Sequence, residues 1–175
     1  LESRLKFLVK SMKPLYITFQ GGEMTELKNC IDYFDLVDKY FPQVRKSLTT
    51  NGSASFDLYR SLWLYGICNI SFSVPNICDA LLLDKMERLR LGSQCVVRVN
   101  CYVDYKRFDL VKEVFDYCVE KRIPLTFCLE MKKEILGVED VEELLLRLRL
   151  DVYNKEDFYG YSIVTLHKPW RVSPP

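Results

Sequence analysis

The sequence lacks the features that mark several common classes of protein. It has no excess of positive charge, because 25 lysines and arginines stand against 24 aspartates and glutamates. Proteins that bind nucleic acid or an anionic membrane need basic residues to neutralise negative charge, so we expect neither partner. No apolar run approaches the roughly 20 residues of a membrane-spanning helix, and the first residues lack the order of a signal peptide. These absences predict a cytoplasmic protein.

Local metal-binding patterns are missing as well. None of the seven cysteines belongs to a CxxC or CxxxCxxC array, and His167 is the one histidine. An odd number of cysteines, spread along a chain that is 49% hydrophobic, indicates reduced thiols rather than a disulfide framework. Cys30 and Cys118 recur at helical spacing with apolar neighbours, which predicts that they are small core residues. His167 is predicted to be structural.

The apolar residues that are present change spacing regularly along the chain. Short runs rich in strand formers alternate with longer amphipathic stretches, and glycine or proline separates several of them. The predicted strands cover 15–19, 44–50, 68–74, 95–102 and 125–129, and residues 161–166 are also strand-like. The predicted helices cover 1–12, 27–41, 56–65, 77–91, 108–120 and 140–150, and Gly92 ends the one at 77–91. Single helices between strands imply right-handed crossovers and a parallel sheet. The fold class is α/β, and periodicity leaves both a barrel and a doubly wound sheet open.

Polar residues follow several of the predicted strands. The first strand ends in Gln20-Gly21-Gly22-Glu23, the second in Thr49-Thr50-Asn51-Gly52, and the third in Ser71-Phe72-Ser73, while Asn100 lies in the fourth. Ligands of parallel α/β folds bind at the carboxyl ends of the strands, so these residues are candidates for a binding site. Each also has a structural interpretation, because glycines and Asn-Gly make turns and strand hydroxyls can be satisfied locally.

Taken in order, the segments 16–23, 48–52, 70–73 and 97–100 resemble the signature of radical S-adenosylmethionine enzymes. Residues 96–131 are similar to the later barrel of the molybdopterin-precursor cyclase and of related peptide-modifying enzymes. The resemblance implies a partial (β/α)6 parallel barrel of the TIM-like type. Residues 1–150 would form barrel units two to six, and residues 151–175 would be a tail that leaves the barrel. The first unit, with its CxxxCxxC segment, is expected upstream of residue 1.

The resemblance also implies cofactors and partners. They are S-adenosylmethionine and a 4Fe-4S cluster with upstream ligands, which together generate a 5′-deoxyadenosyl radical that takes hydrogen from a small-molecule or peptide substrate. The electron would come from a donor such as flavodoxin or ferredoxin. The turn after the first strand would receive the methionine amino group, and Thr50, Ser73 and Asn100 would hold its carboxylate and the ribose. The implied cofactor-binding residues are Gly21, Gly22, Glu23, Thr50, Asn51, Ser73 and Asn100.

Two other functions stay open at the level of sequence. A degenerate barrel of the same ancestry could act as a binding or interaction module without a cluster. An unrelated parallel-barrel enzyme for a phosphorylated or carbonyl substrate would need a catalytic lysine or acid pair, for which Glu130 with Lys132 or Lys133 is the candidate. The coding sequence upstream of Leu1 would discriminate between the radical S-adenosylmethionine enzyme and the degenerate barrel.

Overall fold

Strands and helices alternate along the chain as the sequence predicts. The computed structural model describes residues 1–75, 77, 79–130, 143–144, 146–147 and 161–166. The strands are β1 (Tyr16–Phe19), β2 (Arg45–Thr50), β3 (Ile67–Ser73), β4 (Val96–Tyr102), β5 (Leu125–Glu130) and β6 (Tyr161–Leu166). The helices are α1 (Glu2–Ser11), α2 (Cys30–Tyr40), α3 (Phe56–Ser61), α4 (Ala80–Gly92) and α5 (Phe108–Lys121), with short 3-10 turns at Met24–Glu26, Leu62–Tyr65 and Tyr105–Arg107.

The chain divides into two compact units. The first contains Leu1–Ser73 with Cys78–Arg98, and the second contains Val74–Ile77 with Val99–Pro175. In the first unit β1 pairs parallel with β2, and β2 pairs parallel with β3. In the second unit β4 pairs parallel with β5, and β5 pairs parallel with β6. The α/β class and the parallel sheet are therefore confirmed, in the strand arrangement of a partial TIM-like barrel.

The apolar face of the first unit's sheet explains why its helices pack where they do. Side chains alternate between the two faces of a strand, so Leu48, Ile70 and Phe72 point to the same side, and all three are fully buried. The same register leaves Thr18, Ser47 and other polar side chains on the opposite face. Burying one such apolar side chain contributes about 1.5–3 kcal/mol relative to exposure. The buried apolar residues that α1 to α4 and the turn after α3 add are Leu5, Cys30, Phe34, Val37, Tyr59, Leu62, Leu82, Met86 and Leu89.

A fully buried lysine joins α2 to β2 in the first unit. Lys46 Nζ donates to Asp38 Oδ1 at 2.6 Å and to the backbone carbonyls of Phe41 and Val44 at 2.7 and 3.0 Å. The ammonium has three protons, so these acceptors satisfy it completely. The lysine therefore fixes the turn between the helix and the strand, at the end of β2 opposite Thr50.

The second unit has its own apolar layer between α5 and the strands. Val99, Cys101, Leu125 and Phe127 are buried on one sheet face, and the ring of Phe127 stacks on that of Phe115 with centroids 6.2 Å apart. From α5, Val111, Val114, Phe115 and Cys118 are buried. The prediction that Cys30 and Cys118 are core residues is confirmed, because they are 6% and 1% exposed.

Two helix boundaries differ from the prediction for local reasons. The helix predicted from residue 27 starts at Cys30, and a separate 3-10 turn at Met24–Glu26 precedes it. The helix predicted from residue 77 starts at Ala80, because the Asp79 carboxylate accepts from Leu82 N–H at 3.0 Å and caps it. Gly92, predicted to end that helix, is its last residue.

The C-terminal part of the chain is described only in short stretches. Residues 143–144 and 146–147 are helical, within the predicted helix at 140–150. The strand predicted at 161–166 is present as β6. Lys132, Lys133 and His167 lie outside the described residues, and the division of the chain at residue 150 stays a prediction. Within the part of the chain that is described, no helix has the length and apolar character needed to cross a bilayer.

Candidate functional site

The turn after β1 depends on two glycines in the left-handed backbone region. Gly21 has φ +89° and Gly22 has φ +55°, conformations that other residues adopt only with strain. A Cβ built on Gly22 would meet nothing within 4 Å. The backbone of this turn is thus open to close approach by a ligand, and its peptide carbonyls can accept hydrogen bonds.

The Glu23 carboxylate joins this turn to the end of β2. Its Oε1 accepts from Thr25 N–H at 3.2 Å, from the Thr25 hydroxyl at 2.6 Å and from the Thr50 hydroxyl at 2.8 Å. Its Oε2 accepts from Asn51 N–H at 2.6 Å. Hydrogen bonds to a charged acceptor are about twice as strong as neutral ones, so this carboxylate fixes the two loops to each other.

The Thr50 hydroxyl lies beneath that carboxylate and is almost completely buried. It is 2.8 Å from the Tyr59 hydroxyl and accepts from Gly52 N–H at 3.1 Å. Tyr59 is fully buried, and burial raises the pKa of its phenol above the ordinary value, which keeps the hydroxyl protonated. Thr50 therefore connects the rim of the site to the core of the first unit.

A second, more exposed link closes the loop after β2. The Asn51 Oδ1 accepts from Ser53 N–H at 2.8 Å, and the Ser53 hydroxyl donates to Glu26 Oε1 at 3.0 Å. Gly52 turns the chain at φ +84°, where a Cβ would lie 2.3 Å from Leu82 Cδ1 and 3.3 Å from Phe72 Cδ1. The loop is thus fixed both by hydrogen bonds at its surface and by close packing below.

The structure brings together most of the residues that the sequence selected in the first unit. Glu23, Thr50 and Asn51 are in direct contact, and Ser73 ends β3 at the same edge, because β1, β2 and β3 are parallel neighbours. Asn100 belongs to the second unit, where its carbonyl accepts from Val74 N–H at 3.0 Å. Whether any of the seven residues binds a cofactor stays a prediction.

Three further residues of this site were not selected from the sequence. Thr25 supplies two of the donors to Glu23, and Tyr59 completes the hydrogen bonding of Thr50. Lys85, from α4, donates to the carbonyls of Gly52 and Ala54 at 2.5 Å each. Tyr59 reads in sequence as an apolar position of a helix, and Lys85 as a solvated one, so nothing in the local pattern singles them out.

The buried thiols that the structure describes pack among apolar side chains of the core. Burial raises the pKa of Cys101 and of Cys118 to about 12, so both stay protonated and poor ligands at neutral pH. Among the residues that the structure describes, no group of three or more His, Cys, Asp or Glu side chains could hold a metal ion.

Comparison with known structures finds the same fold in SuiB from Streptococcus suis. SuiB from Streptococcus suis bound to its precursor peptide SuiA matches with a TM-score of 0.66 and 16% sequence identity, over 95% of this chain and 42% of SuiB. SuiB bound to S-adenosylmethionine matches with a TM-score of 0.58 and 16% identity, over 94% and 40% of the two chains. At this identity the likeness concerns the fold alone, and the chain spans about two fifths of SuiB. No protein-family model and no curated protein sequence matches this chain.

Proposed function

We propose that this chain is the S-adenosylmethionine-binding core of a radical S-adenosylmethionine enzyme of the cytoplasm. The observation that carries the proposal is the contact of the Gly21-Gly22-Glu23 turn with Thr50 and Asn51 at the ends of two adjacent parallel strands. Such strand ends are where ligands of α/β folds bind. The resemblance in sequence and the fold of SuiB, which has been crystallised with S-adenosylmethionine, support the same ligand.

The chemistry of the turn suits the methionine end of S-adenosylmethionine. An ammonium group needs hydrogen-bond acceptors and negative charge nearby. The open glycine backbone offers carbonyl acceptors, and the Glu23 carboxylate lies directly beside it. In this proposal Thr50 and Ser73 contribute to holding the carboxylate and ribose, as the family resemblance implies.

The proposed reaction also needs an iron–sulfur cluster. In this proposal a 4Fe-4S cluster bound by a CxxxCxxC segment would supply the electron that cleaves S-adenosylmethionine. A reductant such as flavodoxin or ferredoxin would reduce it. SuiB has been crystallised with a precursor peptide, which favours a peptide over a small molecule as the substrate class here.

Binding of S-adenosylmethionine to the protein tests the proposal directly. We expect isothermal titration calorimetry to detect binding to the native sequence, and Glu23→Gln to weaken it at least about tenfold, because one full charge beside the ammonium is lost. Glu2→Gln is a matched control, since Glu2 is an exposed carboxylate that also accepts from a hydroxyl, that of Tyr40 at 2.7 Å. It should leave the dissociation constant unchanged within about twofold.

Two results would contradict the proposal. One is no binding at millimolar S-adenosylmethionine by a folded native protein, and the other is equal binding by the native protein and Glu23→Gln. Anaerobic reconstitution of the full-length gene product with iron and sulfide distinguishes a radical enzyme from a degenerate barrel that has no cluster. A product that binds S-adenosylmethionine but takes up no cluster would be a degenerate binding module rather than an enzyme.

A further inference from the structure

Lys85 contacts the segment 50–54, which comprises the last residue of β2 and the loop that follows it. Lys85 Nζ donates to the carbonyls of Gly52 and Ala54, which lie on either side of the Ser53 turn. The same ammonium lies 5.5 Å from the centroid of the Tyr59 ring. A cation over an aromatic face is attracted to it, so the ring and the two carbonyls fix Lys85 together. Lys85 in turn fixes the curvature of the loop.

The direction of each hydrogen bond at the Thr50 hydroxyl can be assigned from its partners. An ionised carboxylate only accepts, so Thr50 must donate its single proton to Glu23. Thr50 then has two lone pairs left, and Gly52 N–H occupies one of them. The Tyr59 hydroxyl must therefore donate to the other, across 2.8 Å. Tyr59 in its turn accepts from Ala54 N–H at 3.4 Å.

This order produces a one-way chain of hydrogen bonds from the core to the rim. It runs from the Tyr59 hydroxyl to Thr50 and from Thr50 to Glu23 Oε1. A carboxylate has about four lone-pair sites, and four donors already reach Glu23: two from Thr25, one from Thr50 and one from Asn51. Oε1 accepts three of these bonds and Oε2 only one, so the carboxylate holds the loop mainly through Oε1. A ligand ammonium is left with the backbone carbonyls of the glycine turn and the remaining acceptor site of Oε2.

We propose that Tyr59 and Lys85 are positioning residues of the binding site. They touch no ligand, and they set the direction of the Thr50 hydroxyl and the shape of residues 50–54, which keeps Glu23 and the Asn51 amide at the rim. The identity of the ligand rests on the proposed function, whereas the positioning of the loop rests only on the contacts within this unit.

Amide exchange measured by NMR tests the positioning without any ligand. Tyr59→Phe removes the acceptor of Ala54 N–H and the donor to Thr50, so we expect the amides of Asn51, Gly52 and Ala54 to exchange at least about tenfold faster. S-adenosylmethionine should then bind about five- to tenfold more weakly. Tyr40→Phe also removes one tyrosine hydroxyl bonded to an oxygen acceptor and should change neither quantity.

Lys85→Met supplies an independent variant, because Lys85 is only partly buried and its loss leaves the core of the unit intact. It should accelerate exchange at the same three amides, while Lys39→Met, which removes a cation 5.9 Å from the Tyr40 ring, should not. Unchanged exchange in both Tyr59→Phe and Lys85→Met overturns the inference. So does faster exchange with an unchanged dissociation constant, because the residues would then be structural only.

The two proposals can fail separately. If the native protein does not bind S-adenosylmethionine but the three amides respond as expected, the proposed function is wrong and the loop support is real. If binding occurs and responds to Glu23→Gln, but neither Tyr59→Phe nor Lys85→Met alters it, the proposed function stands and the positioning inference is wrong.

Discussion

Gly22 and Gly52 allow the backbone and packing contributions of a glycine to be separated. Both have positive φ, +55° and +84°, so an alanine at either position incurs the left-handed backbone penalty of about 1–2 kcal/mol. Only Gly52 is also confined, because its added Cβ would lie 2.3 Å from Leu82 Cδ1 and 3.3 Å from a carbon of the buried Phe72 ring. Inserting a carbon into a packed core costs a further 1–3 kcal/mol or so.

The expected losses of unfolding free energy are therefore about 1–2 kcal/mol for Gly22→Ala and about 2–5 kcal/mol for Gly52→Ala. For a chain of this length each kcal/mol lowers the melting temperature by about 2–4 °C. Gly52→Ala should melt roughly 4–20 °C below the native protein, and Gly22→Ala roughly 2–8 °C below it. Urea unfolding followed by far-ultraviolet circular dichroism measures both variants against the native chain.

Ligand binding should rank the same two variants in the opposite order. At 20 °C, where both proteins are folded, Gly22→Ala places a methyl group in the open space beside the proposed ammonium site and should weaken S-adenosylmethionine binding more than Gly52→Ala does. A Gly52→Ala variant that is no less stable than Gly22→Ala would contradict this expected order of stability. That result would mean that the Leu82 side chain moves aside at no cost and that packing below the loop is loose.

Two further predictions concern stability. Lys46→Met should cost about 3 kcal/mol, because it leaves Asp38 and two backbone carbonyls without their buried donor. Thermal melting checks it, with Lys6→Met, which breaks an exposed ion pair, as a control expected to melt like the native chain. Stability should also fall above pH 9, since an unfolded thiol with a pKa near 9.0 releases a proton that Cys101 and Cys118, at about 12, retain in the folded protein. Between pH 7.5 and 9.5 each of the two thiols should lower the unfolding free energy by about 0.8 kcal/mol. The unfolding free energy of the double variant Cys101→Ala/Cys118→Ala should therefore fall by about 1.6 kcal/mol less than that of the native chain, as measured by urea titrations at the two pH values. An equal fall in both proteins would contradict this prediction.

The sequence was sufficient to predict the alternation of elements because the physical signals for it are local. Several strands, such as Tyr16–Phe19 and Val96–Tyr102, are short runs rich in strand formers, and the longer helices have apolar positions at a spacing of three or four residues. The burial of Lys46 had no such signal. Its three acceptors, Asp38 and the carbonyls of Phe41 and Val44, come together only when α2 turns back onto β2. A charged residue is expected at the surface unless tertiary contacts provide its partners.

The meeting of Glu23 with Thr50 was predictable for a different reason. Parallel neighbours bring their carboxyl ends to one edge, and the observed register pairs Phe19 with Leu48, so the residues that follow lie side by side. The contribution of Tyr59 was not predictable, because its hydroxyl reaches Thr50 from a helix whose apolar spacing indicated only core packing. Sequence periodicity gives the face on which a side chain lies, but not which polar atom at its end finds a partner.

The role of Glu23 shows where a motif stops being informative. A negative charge after two glycines attracts any donor, whether a ligand ammonium or a loop amide, and the sequence does not distinguish these. The structure supplies four protein donors to this carboxylate, two of them from Thr50 and Asn51, which lie 27 and 28 residues further along the chain. Three of these donors share Oε1, so an ammonium that reached this atom would have to displace one of them, at a cost of about 1–3 kcal/mol if the displaced donor stays buried. Oε2 accepts from Asn51 N–H and has a second acceptor site, and the space beside Gly22 is open, so neither Oε2 nor the glycine carbonyls need such an exchange. The charge of Glu23 therefore acts on the ligand, while the hydrogen bonds of Oε1 act on the loop.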